Sequence, residues 1–334
     1  MLQVQPQRRL QFVEADAPEV RLALANAVRQ GLSGQPKTLP HRFLYDEVGA
    51  HLFAAVCQLP TYHLNRGETE VLHERAGDIL MRCKDMALLV ELGTGSALKT
   101  RILLDVLFSQ RWRAKYLAID IARDMLAETC NELLQGYPRL EITAQAGDFD
   151  TGLRVAARRE RPQLVLWLGS ALGNLTRTEA AAFLGGMHAT FEHKDRMLVG
   201  IDTCRDPQTL LAAYDDRKGV HAAFHLNLLA RINRELGGRF DLATFRHRAQ
   251  FDEEMARVEV ALVSQKTQVV AIDALELEVA FAEGEPIHTE WSYKYSRPDI
   301  ENLCRAAGFA LDRQWLDKAG QMSLNLLAPV GVAP

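Results

Sequence analysis

The stretch Leu88-Leu89-Val90-Glu91-Leu92-Gly93-Thr94-Gly95-Ser96 is an apolar run that ends in an acid and then breaks into glycines. Such a run reads as a strand buried on both faces, as in parallel sheets, and glycines at its carboxyl end let the backbone come close to a ligand. In an open α/β sheet this is where ligands bind. The third glycine of a dinucleotide fingerprint is missing, with Leu98 in its place, which disfavours NAD.

Working outward, residues 116–119 form a second strand closed by Asp120, an acid placed to meet the two hydroxyls of a ribose. Leu140–Ala146 is a third, followed by Gly147-Asp148-Phe149, and residues 163–168 and 196–201 are two more. Helical periodicity fills 121–134 and 177–191. The alternation from about 87 to 202 predicts an α/β fold with a parallel sheet and crossover helices. Beyond Asp202 the rhythm changes to helices over Pro207–Tyr214 and Val220–Leu236, the latter stopped by Gly237-Gly238. Alternating runs over 256–267 and 269–281 read as antiparallel strands, and Glu283-Gly284-Glu285-Pro286 as a turn. A helix over 298–307 and a hairpin of 310–315 with 322–328 return the chain to its first sheet. The expected organisation is a sheet domain of residues 66–203 plus 295–334, and an α+β domain of 14–65 plus 204–294 that covers the ligand crevice.

A chain of 334 residues with 48% hydrophobic content has ample core for two such domains. The net charge of −4 provides no basic stripe for nucleic acid, and Arg158-Arg159-Glu160-Arg161 reads as a solvated helix end. Five cysteines, Cys57, Cys83, Cys130, Cys204 and Cys304, are far apart and include no C-x-x-C pair, which argues against a disulfide framework and against a metal site. Residues 1–15 lack a signal-peptide core and no stretch is long and apolar enough to span a bilayer. The expectation is a soluble protein of the reducing cytoplasm with no membrane partner, and no apolar heptad opposes a monomer.

Three successive strands closed by Glu91, Asp120 and Asp148 resemble the S-adenosylmethionine site of the Rossmann-like class I methyltransferases, whose carboxylates face the methionine amine, the ribose and the adenine. Further landmarks follow in order: Phe43-Leu44-Tyr45-Asp46-Glu47-Val48-Gly49, Leu59-Pro60-Thr61-Tyr62, Lys99-Thr100-Arg101, Leu168-Gly169-Ser170-Ala171-Leu172-Gly173-Asn174-Leu175, Ala213-Tyr214-Asp215-Asp216, Asn233-Arg234-Glu235-Leu236 and Thr289-Glu290-x-Ser292. From about Leu39 onward the chain resembles the histidine Nα-methyltransferases that make hercynine, the first intermediate of ergothioneine biosynthesis.

The resemblance implies that Glu91, Gly93, Lys99, Asp120, Asp148 and Phe149 bind S-adenosylmethionine. It implies that Asn174 and Tyr214 hold the substrate carboxylate, that Gly169 and Phe224 wall the pocket, and that Glu290 and Ser292 read the imidazole, one as acceptor of a ring N–H and the other as partner of the second nitrogen. Tyr45 and Tyr62 line the amino-acid pocket and are expected to orient the amine. Three rounds of methylation to the betaine are implied. Some positions depart from the family pattern: Val260 where a methionine is usual, His221 where a threonine often stands, Trp291 between the imidazole-reading pair, and Leu64 where a proline follows Tyr62. These leave a larger aromatic acceptor such as tryptophan as a second expectation, against which the retained Glu290 argues, because a carboxylate facing an indole is poorly paired. The Asp/Asn-Pro-Pro-Tyr motif of nucleic-acid and protein amide methyltransferases is absent after the fourth strand, and a non-catalytic descendant would have lost cofactor acids that this chain keeps.

Overall fold

The computed structural model describes residues 9–13, 17–110 and 113–332. Along the chain run β1 (Leu10–Val13), α1 (Ala17–Ser33), β2 (Lys37–Thr38), α2 (Glu47–Cys57), α3 (His63–Arg82), β3 (Leu88–Leu92), α4 (Leu98–Gln110), β4 (Ala114–Asp120), α5 (Arg123–Gly136), β5 (Leu140–Ala146) and α6 (Phe149–Ala156). There follow β6 (Gln163–Trp167), α7 (Arg177–His188), β7 (Arg196–Asp202), α8 (Pro207–Tyr214), α9 (Val220–Leu236), β8 (Phe245–Asp252), β9 (Arg257–Ser264) and β10 (Gln268–Ile272). The last are β11 (Leu277–Phe281), β12 (Pro286–Tyr293), α10 (Arg297–Ala306), β13 (Phe309–Leu316) and β14 (Met322–Pro329). They divide into two compact units, one holding β1, Leu64–Cys204 and the chain from Tyr295 on, the other Ala15–His63 and Arg205–Lys294.

The first unit is built on an eight-stranded sheet in the order β1-β5-β4-β3-β6-β7-β14-β13. Strands β1 to β7 in it are parallel, and β14 runs antiparallel to both β7 and β13. Every residue of β3 and β6 is buried, including the polar Glu91 and Gln163 in these otherwise apolar runs. One side chain layer of the core joins Leu89 and Tyr116 to Leu103, Leu104 and Leu107 of α4 and to Leu126, Cys130 and Leu133 of α5. Strand order reverses between β3 and β6, so the carboxyl ends of these two strands form the switch point where such sheets bind ligands. Strand β1, parallel to β5 at the sheet edge, lies outside the stretch that sequence reading assigned to this sheet.

The second unit carries a four-stranded sheet, β2-β12-β9-β8, and a separate hairpin, β10-β11. Helix α9 buries His221, Phe224, His225, Leu228, Leu229 and Ile232 along one stripe and ends at Gly237 in the left-handed conformation, where the sequence places its stop. Asn227 Nδ2 donates to Asp46 Oδ1 at 2.7 Å and Arg231 donates to the Phe43 carbonyl at 2.9 Å, which fixes the segment carrying Tyr45 against α9. The run 269–281, expected as one strand, is two. It turns at Asp273–Leu275 and Glu276 adopts φ 46°, a turn without the usual glycine or proline signal. Strands β8 and β12 were not anticipated. No helix among the described residues is long and apolar enough to cross a membrane.

Candidate active site

In the first unit the glycine turn after β3 is tied to the end of β4. Gly93 N–H donates to the Ile119 carbonyl at 2.9 Å and Gly95 N–H to Asp120 Oδ2 at 2.8 Å, while Asp120 Oδ1 accepts from Ala122 N–H at 2.9 Å. Burial raises the Asp120 pKa against the opposing effect of these N–H groups. Gly93 has φ 78°, and a Cβ added there would sit 3.8 Å from the Phe149 ring. Asp148 caps α6 by accepting from Thr151 N–H at 2.9 Å, and Phe149 stands edge-on to Trp167 at 5.9 Å. The αL turn, the acid closing β4 and a ring beside the glycine face fit the polar and aromatic parts of an adenosine cofactor.

Glu91 is 3% exposed and accepts from Thr100 Oγ1 at 2.6 Å and from the Tyr116 hydroxyl. Burial raises its pKa to about 7 against these two hydrogen bonds. These contacts hold the carboxyl end of β3 to the start of α4 and to β4.

The loop after β6 contains two consecutive left-handed residues, Gly169 at φ 76° and Ser170 at φ 59°, the second unusual for a side chain other than glycine. Ser170 Oγ accepts from Asp202 N–H at 3.0 Å, and Asn174 ends the short 3-10 turn that follows. A residue that sequence reading missed organises this region. Glu68, fully buried on α3, accepts the Gly169 N–H at 2.8 Å and pairs with the Lys99 ammonium. Its signal was available, because Leu64, Glu68, Val71, Leu72 and Ile79 share a helical stripe that a glutamate interrupts.

In the second unit Tyr45, Phe53, Tyr62, Tyr214, Phe224 and His221 form one aromatic cluster, with ring centroids 5.3 to 6.3 Å apart between neighbours. Phe53, from α2, had not been singled out. Burial, reinforced by Tyr214, pushes the Tyr62 phenol well above its usual pKa, so at neutral pH it is a hydroxyl and not a phenolate base.

Glu290 lies at a β-bulge, where β12 slips one residue against β9 between His288 and Glu290 and pairs Glu290 with Val260. The bulge lets two consecutive side chains reach one imidazole: His225 Nδ1 lies 2.8 Å from Thr289 Oγ1, and His225 Nε2 lies 3.4 Å from Glu290 Oε2. Rings of His221 and His247 complete a cluster, 6.4 and 5.2 Å from His225. Burial would raise the Glu290 pKa, but the imidazoles, His225 first, outweigh it and hold it at about 2. Burial and His225 push His221 down to about 4, and burial with His225 and His221 pushes His247 to about 3. His225 and His247 were missed. Val260, on β9, and Phe224, on α9, are buried, and Trp291 stacks on His288 at 5.8 Å.

Tyr214 and Ser292, assigned to opposite ends of a substrate, are hydrogen-bonded to each other at 2.7 Å. Lys294, which sequence reading passed over, donates to Tyr214 Oη at 3.0 Å and to Ser292 Oγ at 2.9 Å, and closes a triangle.

Comparison with known proteins gives the family. The chain is 38% identical over 304 residues to the histidine N-alpha-methyltransferase of Mycolicibacterium smegmatis, covering 91% of this chain and 94% of that one. It is 38% identical over 307 residues to the protein of the same name from Mycobacterium tuberculosis, covering 92% and 95%. It is also 29% identical to the ergothioneine biosynthesis protein 1 of Neurospora crassa over 88% of this chain and 33% of that longer one. The family model for the histidine-specific, S-adenosylmethionine-dependent methyltransferases matches residues 24–329, and the chain belongs to that family.

Proposed function

We propose that this protein methylates the α-amino nitrogen of L-histidine in three rounds to the betaine hercynine, as a step toward ergothioneine. The observation that carries the choice of substrate is Glu290: a largely buried carboxylate, its side chain 15% exposed and held ionised among imidazoles, accepts a ring N–H, and an indole-sized acceptor offers it less. Support also comes from the relatives named for histidine at 38% identity.

S-adenosylmethionine, when bound, supplies a methyl group activated by its sulfonium charge, and the acceptor must then present a neutral nitrogen lone pair. Gly93, Lys99, Asp120, Asp148 and Phe149 hold the cofactor in this reading, with Glu91 stiffening the loop. Tyr214 and Asn174 take the substrate carboxylate, Gly169 and Phe224 wall the site, Glu290 takes the imidazole, and Val260 and His221 shape the pocket around it. Tyr62, kept as a neutral phenol, accepts an N–H of the amine through its oxygen and so turns the lone pair to the methyl group, with Tyr45 beside it. Alignment of this kind supplies roughly 7–11 kcal/mol in well-oriented reactions, so no strong base is required. The reading places the enzyme in the cytoplasm as a monomer, and its five free cysteines suit a reducing compartment.

The test is incubation with S-adenosylmethionine and an equimolar mixture of the proteinogenic amino acids, with masses followed for gains of one to three methyl groups. Trimethylated histidine alone supports the reading. Methylated tryptophan or tyrosine overturns the substrate.

A further inference from the structure

His225, on α9, is 0% exposed, and Thr289, on β12, is 1% exposed. Thr289 Oγ1 has one hydrogen and two neighbours, His225 Nδ1 at 2.8 Å and the Val260 carbonyl oxygen at 3.2 Å. The carbonyl can only accept. If the hydroxyl donates to the carbonyl, Nδ1 donates to the hydroxyl; if the hydroxyl donates to Nδ1, the ring's own hydrogen is on Nε2. Nε2 faces Glu290 Oε2 at 3.4 Å, and Glu290 is an anion at neutral pH. A bare Nε2 would set its lone pair against that charge, so in the first arrangement a hydrogen is drawn onto Nε2 as well. Both arrangements turn an N–H of His225 toward Glu290.

The contact joins two elements. β12 brings Glu290 at a bulge, which re-aims its side chain. α9 brings His225, and is itself fixed by the hydrogen bonds of Asn227 to Asp46 and of Arg231 to the Phe43 carbonyl. The direction of the Glu290 carboxylate is therefore set from α9 as well as from its own strand. An ionised carboxylate has no hydrogen to give, so a ring that it recognises must bring an N–H. We propose that His225, steadied by Thr289, is a positioning residue that holds Glu290 in place as an acceptor-only group, and so makes a ring N–H on the methyl acceptor a requirement. The proposal rests on the reading of this protein as an L-histidine Nα-methyltransferase, and it names the feature of the ring that is selected.

The test compares wild type, His225→Leu, His225→Gln and Thr289→Val, with L-histidine as substrate. The competitive inhibitor is the thiazole analogue of L-histidine, which keeps a five-membered ring and one ring nitrogen but has no ring N–H. In His225→Leu the KM for histidine is expected to rise by about tenfold or more, with a smaller change in kcat, because the charge-assisted hydrogen bond from the ring is misdirected. The inhibition constant of the thiazole, which never made that bond, should move by less than about twofold. His225→Gln keeps an N–H for Glu290 and should recover most of the loss, and Thr289→Val should raise the KM for histidine by about threefold. Binding of S-adenosylhomocysteine, measured calorimetrically, reports that each variant is folded. If His225→Leu does not fold, Thr289→Val carries the comparison. An unchanged KM for histidine overturns the proposal, as does equal weakening of histidine and the thiazole, which marks a structural role. A wild-type protein that does not methylate histidine refutes the underlying reading, a result distinct from either.

Discussion

Acid should unfold this protein through two particular histidines. His221 and His247 are buried and neutral, with pKa values of about 4 and about 3 in the folded chain, against roughly 6.5 when exposed. The sign follows from linkage. Below about pH 6.5 the unfolded chain binds a proton at each ring while the folded chain refuses it, so stability is complete above that pH and is lost as pH falls toward the folded values. From pH 7 to pH 5 each ring costs about 2 kcal/mol, and the pair about 4 kcal/mol, out of a total that for a typical protein is about 5–15 kcal/mol. Urea unfolding at pH 7, 6 and 5 measures this. The reference is a double variant, His221→Thr with His247→Gln, which removes both titrating rings; other titrating groups contribute to both proteins and cancel in the difference. The wild type should lose about 4 kcal/mol more than the variant over that interval. Parallel stability curves for the two, within about 1 kcal/mol, would show that the rings are hydrated or paired in the folded state and would refute the reasoning.

Glu68→Ala should destabilise the first unit by about 3–5 kcal/mol in urea unfolding, because it strips the buried Gly169 N–H and the Lys99 ammonium of the same carboxylate, and Glu68→Gln should recover part of that. Glu91 has a raised pKa of about 7, so its stabilising contribution is complete below the ordinary glutamate value and is lost as pH climbs through 7. Glu91→Gln does not titrate, and its stability relative to wild type should therefore rise by roughly 2–3 kcal/mol between pH 5 and pH 8; a constant difference in melting experiments would count against the buried, half-titrated acid. Tyr62→Phe keeps the ring packed against Phe53, Tyr214 and His221 but removes the hydroxyl, and turnover of histidine should fall about tenfold with stability nearly unchanged. Wild-type kinetics in that variant would remove Tyr62 from the mechanism.

The sheet was legible because parallel strands leave a coarse signature. β3 and β6 are buried, mainly apolar runs closed by glycines, β5 alternates before its Gly147-Asp148 close, and the reading put their ends within a residue of where they lie. Antiparallel strands of the second unit carry a weaker one. Phe245–Asp252 alternates Phe, His and Ala with Arg and Gln, and only Phe245 and His247 are buried, so nothing in it stands out from a surface segment. The hairpin of β10 and β11 was merged because apolar alternation continues across a turn lacking glycine and proline. At the site, residues with a family landmark could be named, while Glu68, His225, His247 and Lys294 could not. Each is a polar residue on a face that its element turns inward, and whether a turn of helix or a strand face is buried is settled by tertiary packing.

Two buried glutamates show why placing residues is not enough to assign their chemistry. Both Glu91 and Glu290 lie on strands, and burial pushes each toward the protonated form. Glu91 meets two hydroxyls, whose hydrogen bonds are too weak to offset desolvation, and it settles at about 7. Glu290 meets imidazoles, whose interaction with the charged carboxylate outweighs desolvation, and it settles at about 2. The first is therefore an acid that is partly neutral near pH 7, and the second stays an anion well below neutral pH. Only an obligate anion discriminates by charge and hydrogen bonding among acceptor rings, since an imidazole can give it an N–H, and an apolar ring leaves it unpaired at a cost of several kcal/mol. The histidines that lower Glu290, His225 first and then His41 and His221, lie on α9 and in the 3-10 turn at His41–Leu44, outside the strand that carries Glu290. If Glu290 reads the acceptor ring as proposed, its selectivity is a property of the second unit's packing, and substitutions at His225 should relax the preference for histidine before they touch cofactor binding.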